Sequence, residues 1–543
     1  MVVVRGPGSS VAAVCRPSGA PVAAAPLLLP VVLVAAVLLA VTSCTDGGGS
    51  DMTAPSTTVA PPMGDDGPTA PGVATPIAAL PAVTDRWTYL PEPVTVEVPA
   101  ADPDAERGEL DRLRGEAAVP FPPGDDRMTR VGEGTPTRYA DLAVDVGRRR
   151  TLNPLRMARF LSLIAVAGHE AGVAAARAPA PEAPTPREVD PALGAPLPGV
   201  DAVGVELPAG QLPPEVVTSA AQRTVACALA PDECPRFERL DTIARRRLVA
   251  SGAAWPSTIA ASVGLGEAVG TAVLDRASGD GAAPWVASPT DLSPGGEWVP
   301  TPGMFAPALE PFAGTWRPWN LTSGDQFRPG PPPAAGTPEH DAAVAQVLAE
   351  STNLSDRDLR VAAYWDLGPG TSTPPGYWIS DITADALRQA PVADQASGLA
   401  LVATAMLDAG IATWDAKYAY RSVRPVTVIR AGSSPQWLPS LVTPPFPAYV
   451  SGHSAFTAAA AETMSVLRPE RAEEFFDAAA EASDSRLLGG IHYWFDLTEG
   501  ATLGEQVGRS ALERAGVPPV ADVRPVRDRI TYGSADVRTG GRQ

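Results

Sequence analysis

The sequence predicts an all-α protein whose helices are separated by long irregular connections. Apolar residues recur at helical spacing in several long segments, whereas the alternating patterns typical of strands are sparse. The chain also contains 61 Pro and 50 Gly among its 543 residues, and both residue types interrupt regular structure. A hydrophobic content of 45% is enough to build a sizeable core.

The N-terminal segment, residues 1–44, is typical of a bacterial lipoprotein signal. Arg5 and Arg16 precede the uncharged run PVAAAPLLLPVVLVAAVLLAV, and the following VTSC resembles a lipobox that ends at Cys44. An uncleaved membrane anchor is the alternative, but the polar tether that follows over residues 45–85 favours lipidation of Cys44. We therefore expect an exported protein, held on the outer side of the bacterial cell membrane only through a lipid anchor.

A single catalytic domain is expected over residues 86–518, followed by a C-terminal tail over 519–543. The segment 87–150 is rich in Pro, Asp and Arg and shows little periodicity, so we expect it to be mostly irregular. The segment 285–333 is aromatic and proline-rich, which indicates a long ordered connection on the surface of helices. Helical patterns cover NPLRMARFLSLIAVAGHEAGVAAARA, 214–230, 258–277 and the chain from about Glu339.

The helix ASGLALVATAMLDAGIATWDAKY carries Asp408 and Asp415, so we expect a buried core helix rather than a membrane span. The domain contains one pair of cysteines, Cys227 and Cys234, on either side of ALAPDE. In an exported protein such a pair predicts a small structural disulfide rather than a metal site or a nucleophile.

The overall charge limits the possible partners. Acidic residues number 61 against 42 basic ones, which gives a net charge of −19 and argues against binding to the phosphate backbone of a nucleic acid. Lys417 is the only lysine, because every other basic residue among the 42 is arginine. A lysine at one position therefore needs a local cause.

That lysine lies in the first of three chemically informative blocks, DAKYAYRSVRPV. Lys417 and Arg424 are seven residues apart, so we expect both to project from one face of a helix that ends near Val423. Pro425 disfavours the α conformation for Arg424, which suits an arginine that leaves the helix and reaches into a pocket. The alternative is a pair of solvated cations bridged to a neighbour such as Asp415.

The second block is PPFPAYVSGHSAFTAAAAETM. Ser451 is a good N-cap, so Gly452 and His453 are expected in the first turn of a helix. The unpartnered N–H groups of that turn and the helix dipole form a cradle for an anion, which Gly452 allows to approach closely. His453 can act there as an acid or base, or it is an ordinary first-turn histidine with a local hydrogen bond.

The third block is SRLLGGIHYWFD. His492 and Asp496 are four residues apart, so on one helical face the carboxylate can accept from Nδ1 and leave Nε2 as the reactive nitrogen. Arg486 precedes His492 by six residues, close to two turns, and can approach the same pocket. A capping arginine and a core histidine are the alternative.

Together the blocks predict a site for a tetrahedral oxyanion such as phosphate or an analogue. Three cations and two imidazoles repel one another unless a multiply charged anion lies among them. A compact ammonium can contact one oxygen of that anion, so we expect its role to be lost in Lys417→Arg. The five side chains are Lys417, Arg424, Arg486, His453 and His492.

The arrangement K-x6-R-P, S-G-H and S-R-x5-H-x3-D resembles the signature shared by vanadium-dependent haloperoxidases and type 2 phosphatidic acid phosphatases. Further stretches, NPLRMARFLSLIAVAGHEA, WRPWNLTSGDQFRPGPPP and VAAYWDLGPGTSTPPGYW, resemble the soluble bacterial haloperoxidase-like branch. The resemblance spans most of residues 150–515, with the motifs in 395–515, and implies an all-helical fold built around helix bundles. One departure is Val450, where many members have proline. The filled motif positions are Lys417, Arg424, Pro425, Ser451, Gly452, His453, Ser485, Arg486, His492 and Asp496.

In a haloperoxidase, the resemblance implies a vanadate cofactor bound through Nε2 of His492, with hydrogen peroxide and halide as substrates. It implies that Lys417 polarises the peroxide, that His453 moves protons and that Asp496 orients His492. The residues implied to hold the vanadate oxygens are Lys417, Arg424, Ser451, Gly452 and Arg486. The aromatic residues Trp414, Tyr418, Tyr449, Trp494 and Phe495 either form a halide pocket or pack.

In a phosphatase of the same superfamily, the resemblance implies that His492 attacks a phosphate monoester to give a phosphohistidine, and no cofactor is needed. The long helical region before the motifs and the lack of the membrane helices expected of lipid phosphatases favour the haloperoxidase. A third possibility is a surface lipoprotein that binds an oxyanion without catalysis, against which the intact His453 and His492 argue. The pairs His169–Glu170 and His340–Asp341 are expected to be structural.

Overall fold

The structure of the protein is a computed structural model, which describes residues 76–119, 135–178, 184–195, 197, 211–282, 298–432 and 434–534. These residues lie in one compact unit, Thr69–Gln543. The predicted signal peptide, Cys44 and the tether up to residue 75 lie outside the described residues. Export and lipid anchoring therefore stay predictions.

No strand occurs in the described ranges, and the prediction of an all-α fold is confirmed for them. One π-helix, Tyr377–Ala384, and short 3₁₀ turns at Val83–Asp85, Pro191–Gly194, Pro231–Glu233, Ala313–Thr315 and Pro469–Arg471 complete the regular structure. The α-helices are α1 (Pro103–Ala117), α2 (Thr135–Arg149), α3 (Pro154–Arg177), α4 (Pro186–Val189), α5 (Pro214–Leu229), α6 (Cys234–Ala250), α7 (Pro256–Ser278), α8 (Pro338–Thr352), α9 (Asp356–Tyr364), α10 (Thr373–Gly376), α11 (Asp385–Leu387), α12 (Val392–Tyr420), α13 (Pro425–Ala431), α14 (Gly452–Leu467), α15 (Ala472–Leu488), α16 (Trp494–Ala515) and α17 (Val526–Arg529).

The helix starts follow local sequence signals. Asn153 caps α3, because its side-chain oxygen accepts from the N–H of Arg156 at 3.0 Å. Proline occupies the first position of α3, α5 and α7, where its missing N–H has no partner in a helix anyway. The predicted helix 258–277 accordingly begins two residues earlier, at Pro256.

Two helices lie in the segment 87–150, which we predicted to be mostly irregular, so that prediction was wrong. In α2 the residues Tyr139, Leu142 and Val146 form a buried stripe at helical spacing. The prediction failed because it rested on the high Pro, Asp and Arg content of the whole segment, which does not show a short apolar stripe at helical spacing.

Helix α12 is the centre of the fold. It is buried along almost its whole length, and it packs against α3 on one side and against α14 and α16 on another. By length and composition, Val392–Ala431 and Pro256–Ser278 are the two described segments that could cross a membrane. An 18-residue window of the first is entirely buried, as predicted for a core helix, and the corresponding window of the second is 39% buried.

Helices α14 and α16 approach each other closely, which fixes the site described below. Gly500, Gly504 and Gly508 are spaced by four on α16, and each meets the α14 segment. A Cβ added at Gly500 would lie 2.6 Å from the carbonyl oxygen of Ser451, the residue that begins α14. No side chain other than hydrogen fits between the two helices there.

The predicted long connection is ordered where it is described. Between α7 and α8 the only regular element among residues 279–282 and 298–337 is the turn Ala313–Thr315. The N–H groups of Trp319 and Asn320 donate to the buried carboxylate of Asp408 on α12, at 2.9 and 2.6 Å. These contacts attach the connection to the core.

Cys227 and Cys234 form a disulfide with an S–S distance of 2.10 Å. It links the last turn of α5 to the first residue of α6.

The C-terminal segment is not an extended tail up to residue 534, in contrast to our prediction for 519–543. It folds back through α17 and buries Val526 and Tyr532. Two buried carboxylates receive its backbone: Glu505 accepts from Val526 at 2.6 Å, and Asp484 accepts from Tyr532 at 3.1 Å. Sequence alone did not reveal this docking, because its partners are distant in the chain.

Candidate active site

The three sequence blocks meet at one buried place beside the C-terminal end of α12. Arg424 Nη1 lies 3.0 Å from Nε2 of His492, which joins the first block to the third. The N–H of Ser451 donates to the carbonyl oxygen of Asp496 at 2.9 Å, which joins the second block to the third. Lys417 Nζ donates to the carbonyl oxygen of Val450 at 2.5 Å, which joins the first block to the second.

Lys417 and Arg424 converge for a different reason from the one we predicted. Helix α12 ends at Tyr420, and Arg421 adopts a left-handed conformation with φ of 48°. Arg424 lies beyond the helix with φ −77° and ψ 150°, as expected for a residue before proline. The two cations therefore meet because the chain turns back at Arg421, and not because they share a helical face.

His492 and Asp496 also do not share a helical face. His492 lies in the loop before α16, and Asp496 is the third residue of that helix. The Oδ2 atom of Asp496 accepts from the N–H of Tyr493 at 3.1 Å and contacts Nδ1 of His492 at 2.8 Å. The pair is a helix-capping arrangement, in which one carboxylate both caps α16 and holds the imidazole.

These contacts define the tautomer of His492. A guanidinium can only donate, so Nε2 must be the acceptor of the hydrogen bond from Arg424. The ring proton is then on Nδ1 and is donated to the carboxylate of Asp496. The lone pair of Nε2 faces the cation cluster, as the sequence analysis expected.

Burial governs the protonation of this pair. Loss of solvent, followed by repulsion from Arg424 and Lys417, lowers the pKa of His492 well below its ordinary value. Burial raises the pKa of Asp496 to about 7, while the N–H of Tyr493 and the two cations oppose the shift. The imidazole is therefore neutral near neutral pH, and a ligand could bind its Nε2 lone pair by replacing the hydrogen bond from Arg424.

Lys417 is fully buried and its ammonium is occupied by backbone. Besides the bond to Val450, Nζ donates to the carbonyl oxygens of Pro447 at 2.8 Å and Ala448 at 2.9 Å. Burial and the nearby Arg424 lower the pKa of Lys417, but three acceptors require three N–H groups and so stabilise the ammonium form. The alternative of a salt bridge with Asp415 is excluded by the geometry, since that carboxylate pairs with Arg328.

Arg424 and Arg486 are the other two buried cations. Arg424 donates through Nε to the carbonyl oxygen of Phe446 at 2.8 Å and through Nη1 to that of Ile491 at 2.7 Å. Arg486 donates through Nε to Ser485 Oγ at 2.9 Å. Burial lowers the pKa of Arg424 to about 10 and that of Arg486 to about 9, so both remain charged at neutral pH.

The N-terminus of α14 lies beside these cations. Ser451 is its N-cap, with Oγ accepting from the N–H of Ser454 at 3.3 Å. Among the described residues, the N–H groups of Gly452 and His453 have no acceptor. Burial and the charge of Arg486 lower the pKa of His453 well below its usual value, so this imidazole is neutral as well.

The site fits an oxyanion such as vanadate or phosphate. Within the described part of the chain, Arg424 Nη2 and His453 Nε2 are buried polar atoms without a hydrogen-bond partner. A Cβ added at Gly452 would meet nothing closer than Trp414 at 3.6 Å, so protein packing does not demand glycine there. Donors without a protein partner beside a helix N-terminus are what a bound anion requires.

The buried cations do not depend on an anion. We expected the clustered cations to require an anion in order to coexist. The structure instead gives each of Lys417, Arg424 and Arg486 backbone or hydroxyl acceptors of its own. An anion adds to this arrangement and is not what holds it together.

Sequence reasoning missed the backbone that contacts these side chains. The carbonyl oxygens of residues 446–450 carry no side-chain signature, although the prolines of PPFPAYV indicate an extended segment. The end of α9 was missed as well: Arg486 Nη2 donates to the carbonyl oxygen of Ala362 at 3.3 Å, and Asp366 Oδ1 lies 4.0 Å from Nη1. Nothing in the sequence near Asp366 marks this proximity.

The aromatic candidates for a halide pocket make packing contacts. Trp414 and Tyr418 both donate to the carbonyl oxygen of Leu309, at 3.1 and 2.7 Å. Tyr449 donates to that of Gly330 at 2.7 Å. The candidates are Trp414, Tyr418, Tyr449, Trp494 and Phe495, of which Trp494 has a buried Nε1 without a partner in the described residues.

The remaining histidines lie outside the cluster. His169 uses both ring nitrogens, with Ser397 Oγ and the carbonyl oxygen of Trp87 each at 2.9 Å. His340 packs against the ring of Tyr493, with centroids 5.3 Å apart. Both therefore have structural contacts, as predicted.

The part of the chain that carries the site matches a known family. Residues 398–471 and 469–517 match the family model described as the VCPO second helical-bundle domain, and this span includes every residue of the three blocks. Over this part of the chain, the match supports the predicted resemblance to the vanadium haloperoxidase superfamily. A comparison with curated proteins finds no significant match.

A solved bacterial enzyme has a similar fold. A bacterial vanadium-dependent iodoperoxidase is 23% identical with a TM-score of 0.55, and the alignment covers 71% of this chain and 97% of that chain. Holo and apo forms of a bacterial vanadium-dependent chloroperoxidase are each 17% identical with a TM-score of 0.47, covering 67% of this chain and 93% and 94% of theirs. The likeness to the iodoperoxidase confirms the predicted helical fold of this type.

Proposed function

We propose that this protein is a vanadium-dependent haloperoxidase, which oxidises a halide with hydrogen peroxide at a vanadate held by Nε2 of His492. One observation carries the proposal: the unprotonated Nε2 faces Arg424 among three buried cations, opposite the free N–H groups of α14. The match of residues 398–471 and 469–517 to the VCPO second helical-bundle domain supports the choice of anion.

Different residues of the site would have different roles in binding the anion. His492 would supply the covalent contact through Nε2. Asp496 holds the ring proton of His492 on Nδ1 and so keeps Nε2 unprotonated. Arg424 Nη2, Arg486, Ser451 and the N–H of Gly452 would hold the oxygens. When bound, vanadate supplies a Lewis-acid centre that activates hydrogen peroxide toward halide without changing its own oxidation state.

His453 is suited to move protons at this site. Its Nε2 is buried and unpartnered among the described residues, and its lowered pKa leaves it neutral and able to accept a proton. Arg486 contributes to that lowered pKa by repelling the imidazolium form. A proton taken up by His453 would therefore be passed on rather than retained.

The same geometry supports a second candidate, a phosphatase. The neutral Nε2 of His492 is positioned as a nucleophile toward phosphorus, and His453 could protonate the departing alcohol and then activate water. The bond from phosphorus to the alcohol oxygen breaks as the bond to Nε2 forms, and water later releases phosphate. The buried cations would stabilise the charge of the transition state.

A paired assay on the full chain separates these functions. We expect bromide oxidation by hydrogen peroxide only when orthovanadate is added, and no hydrolysis of an aryl phosphate in its absence. Hydrolysis alone would establish the phosphatase. If orthovanadate binds but both assays are negative, the protein is a non-catalytic oxyanion binder and the proposal is wrong.

Gly452→Ala tests whether the cradle at α14 receives the anion. The added Cβ fits the protein, with its nearest neighbour, Trp414, at 3.6 Å, so stability should change little. It would nevertheless occupy the space that an anion needs next to the free N–H groups. We expect orthovanadate affinity to fall by about tenfold or more, since one charge-assisted hydrogen bond is lost, while unchanged affinity would place the anion elsewhere.

A further inference from the structure

Lys417 makes a contact that neither of the proposed reactions uses. Its Nζ donates to three carbonyl oxygens of one short segment, those of Pro447 at 2.8 Å, Ala448 at 2.9 Å and Val450 at 2.5 Å. The residue is 0% exposed, so no water competes for these donors. All three N–H groups of the ammonium are therefore committed to backbone in this arrangement.

The shape of the ammonium group suits this contact. Its three N–H bonds diverge from one nitrogen, so three carbonyl oxygens can converge on a single atom. A guanidinium spreads its donors over a plane and three nitrogens, and cannot direct three of them from one point. This difference gives a local reason for the only lysine in a chain whose other cations are all arginine.

The fastened segment leads directly into the anion cradle. The carbonyl oxygen of Phe446 accepts from Nε of Arg424 at 2.8 Å. Arg424 and Lys417 together therefore bind four carbonyl oxygens of residues 446–450. The next residue, Ser451, is the N-cap of α14 and donates its N–H to the carbonyl oxygen of Asp496. The position of the segment therefore sets where the first N–H groups of α14 lie.

We propose that Lys417 is a positioning residue, which fastens Pro447–Val450 and thereby holds the N-terminus of α14 in place for the oxyanion. It acts through the backbone of this segment, and its contacts form whether or not an anion is present. The inference rests on the proposed oxyanion site, but it does not depend on which reaction occurs there.

Hydrogen exchange on the full chain without any anion tests this inference. Two amides report on the segment, because the N–H of Ala448 donates to the carbonyl oxygen of Ser422 at 3.0 Å and the N–H of Ser451 donates to Asp496. In Lys417→Met both amides should exchange at least about tenfold faster, since up to three charge-assisted hydrogen bonds are removed. Lys417→Arg should not restore protection, although it restores the charge.

Arg486→Lys is the matched control. Arg486 is equally buried and faces the same site, but its contacts are with Ser485 and Ala362 and not with the fastened segment. We expect this variant to weaken orthovanadate binding, measured by titration calorimetry, and to leave exchange at Ala448 and Ser451 unchanged. Exchange in α5 serves as the internal reference that each variant is folded.

Two results would overturn the inference. One is unchanged exchange at Ala448 and Ser451 in Lys417→Met, with only orthovanadate affinity reduced, which would make Lys417 an anion ligand alone. The other is full recovery of protection in Lys417→Arg, which would make charge sufficient and geometry irrelevant. Failure of the wild-type protein to bind orthovanadate would contradict the proposed function, but it would leave the exchange result intact.

Discussion

At the scale of single residues, Asp496 decides the chemistry of His492. Its carboxylate accepts the Nδ1 proton and a backbone N–H, and it is itself fully buried. Removing it from solvent is costly, and the contacts with Tyr493 and the charges of Lys417 and Arg424 offset that cost. Nε2 is thus unprotonated because a second residue holds the proton, and its lone pair accepts from Arg424.

Asp496→Asn should lower orthovanadate affinity by about 10–100-fold, the range typical of residues that orient a ligating histidine. The amide can donate to Nδ1 and so favour the tautomer that carries its proton on Nε2. Titration calorimetry measures the effect. Asp484→Asn is the control, because Asp484 is a buried carboxylate that accepts backbone N–H groups from Thr531 and Tyr532 and contacts no histidine.

His169 predicts a pH dependence of stability that is separate from the site. Burial lowers its pKa from 6.5 to about 3, so the unfolded state binds a proton below about pH 6.5 that the folded state does not. The contribution of neutral His169 to the free energy of unfolding is present above about pH 6.5 and is lost as the pH falls toward 3. Between about pH 7.5 and 5.5 the loss is about 1.4 kcal/mol.

Urea unfolding of the wild type and His169→Gln at the two pH values measures this loss. The difference in free energy of unfolding between the proteins should shrink by that amount on acidification. A difference that stays constant with pH would mean that His169 titrates normally in the folded protein.

At the scale of elements, two chain reversals bring the functional residues together. The first, at Arg421, ends α12 and directs Arg424 back toward Lys417. The second follows α15, where Gly490 has φ of +76° and leads into His492. A side chain at Gly490 would be strained and would lie 3.0 Å from Pro439.

Gly490→Ala should therefore destabilise the protein by about 1–3 kcal/mol and also weaken orthovanadate binding, because the loop that carries His492 must shift. Gly516→Ala is a matched control at the end of α16. Gly516 has a similar φ of +67°, but a Cβ there meets nothing within 4 Å. It should cost comparable backbone strain, observed as a lower midpoint in urea, while anion affinity stays at the wild-type value.

At the scale of the whole molecule, the helices of the site are held by contacts from both ends of the described chain. The N-terminal segment docks on α12 through Ile77, whose N–H donates to Asp394 at 2.8 Å. The C-terminal segment docks on α15 and α16 through Asp484 and Glu505. Helices α15 and α16 carry Arg486 and Asp496. The docked C-terminal segment therefore supports the helices that position these two residues of the candidate site.

Truncation after Pro518 should lower the free energy of unfolding by about 3 kcal/mol or more. The buried side chains of Val526, Ile530 and Tyr532 would be lost from the core, and burying one large apolar side chain is worth about 1.5–3 kcal/mol. Truncation after Ser534 is the comparison, because it keeps every described contact of the segment. Equal urea midpoints for the two truncated proteins would contradict this role.

The sequence alone determined the helical class, several helix starts and the chemical types at the site. The caps at Asn153 and Ser451 and the prolines that begin helices are local signals, because they depend on hydrogen bonds within one turn. The site residues were found through motif spacing and family resemblance. Their types, cations and imidazoles with a carboxylate, were enough to predict an oxyanion site.

Only the tertiary structure decided how those residues meet. Helical spacing wrongly predicted shared faces for Lys417 with Arg424 and for His492 with Asp496, since each pair is brought together by a turn or a cap. It also revealed the carbonyl oxygens around Lys417 and the docking of the C-terminal segment. Backbone groups are the same in every residue, so their partners leave no trace in the sequence and are fixed only when distant parts of the chain pack.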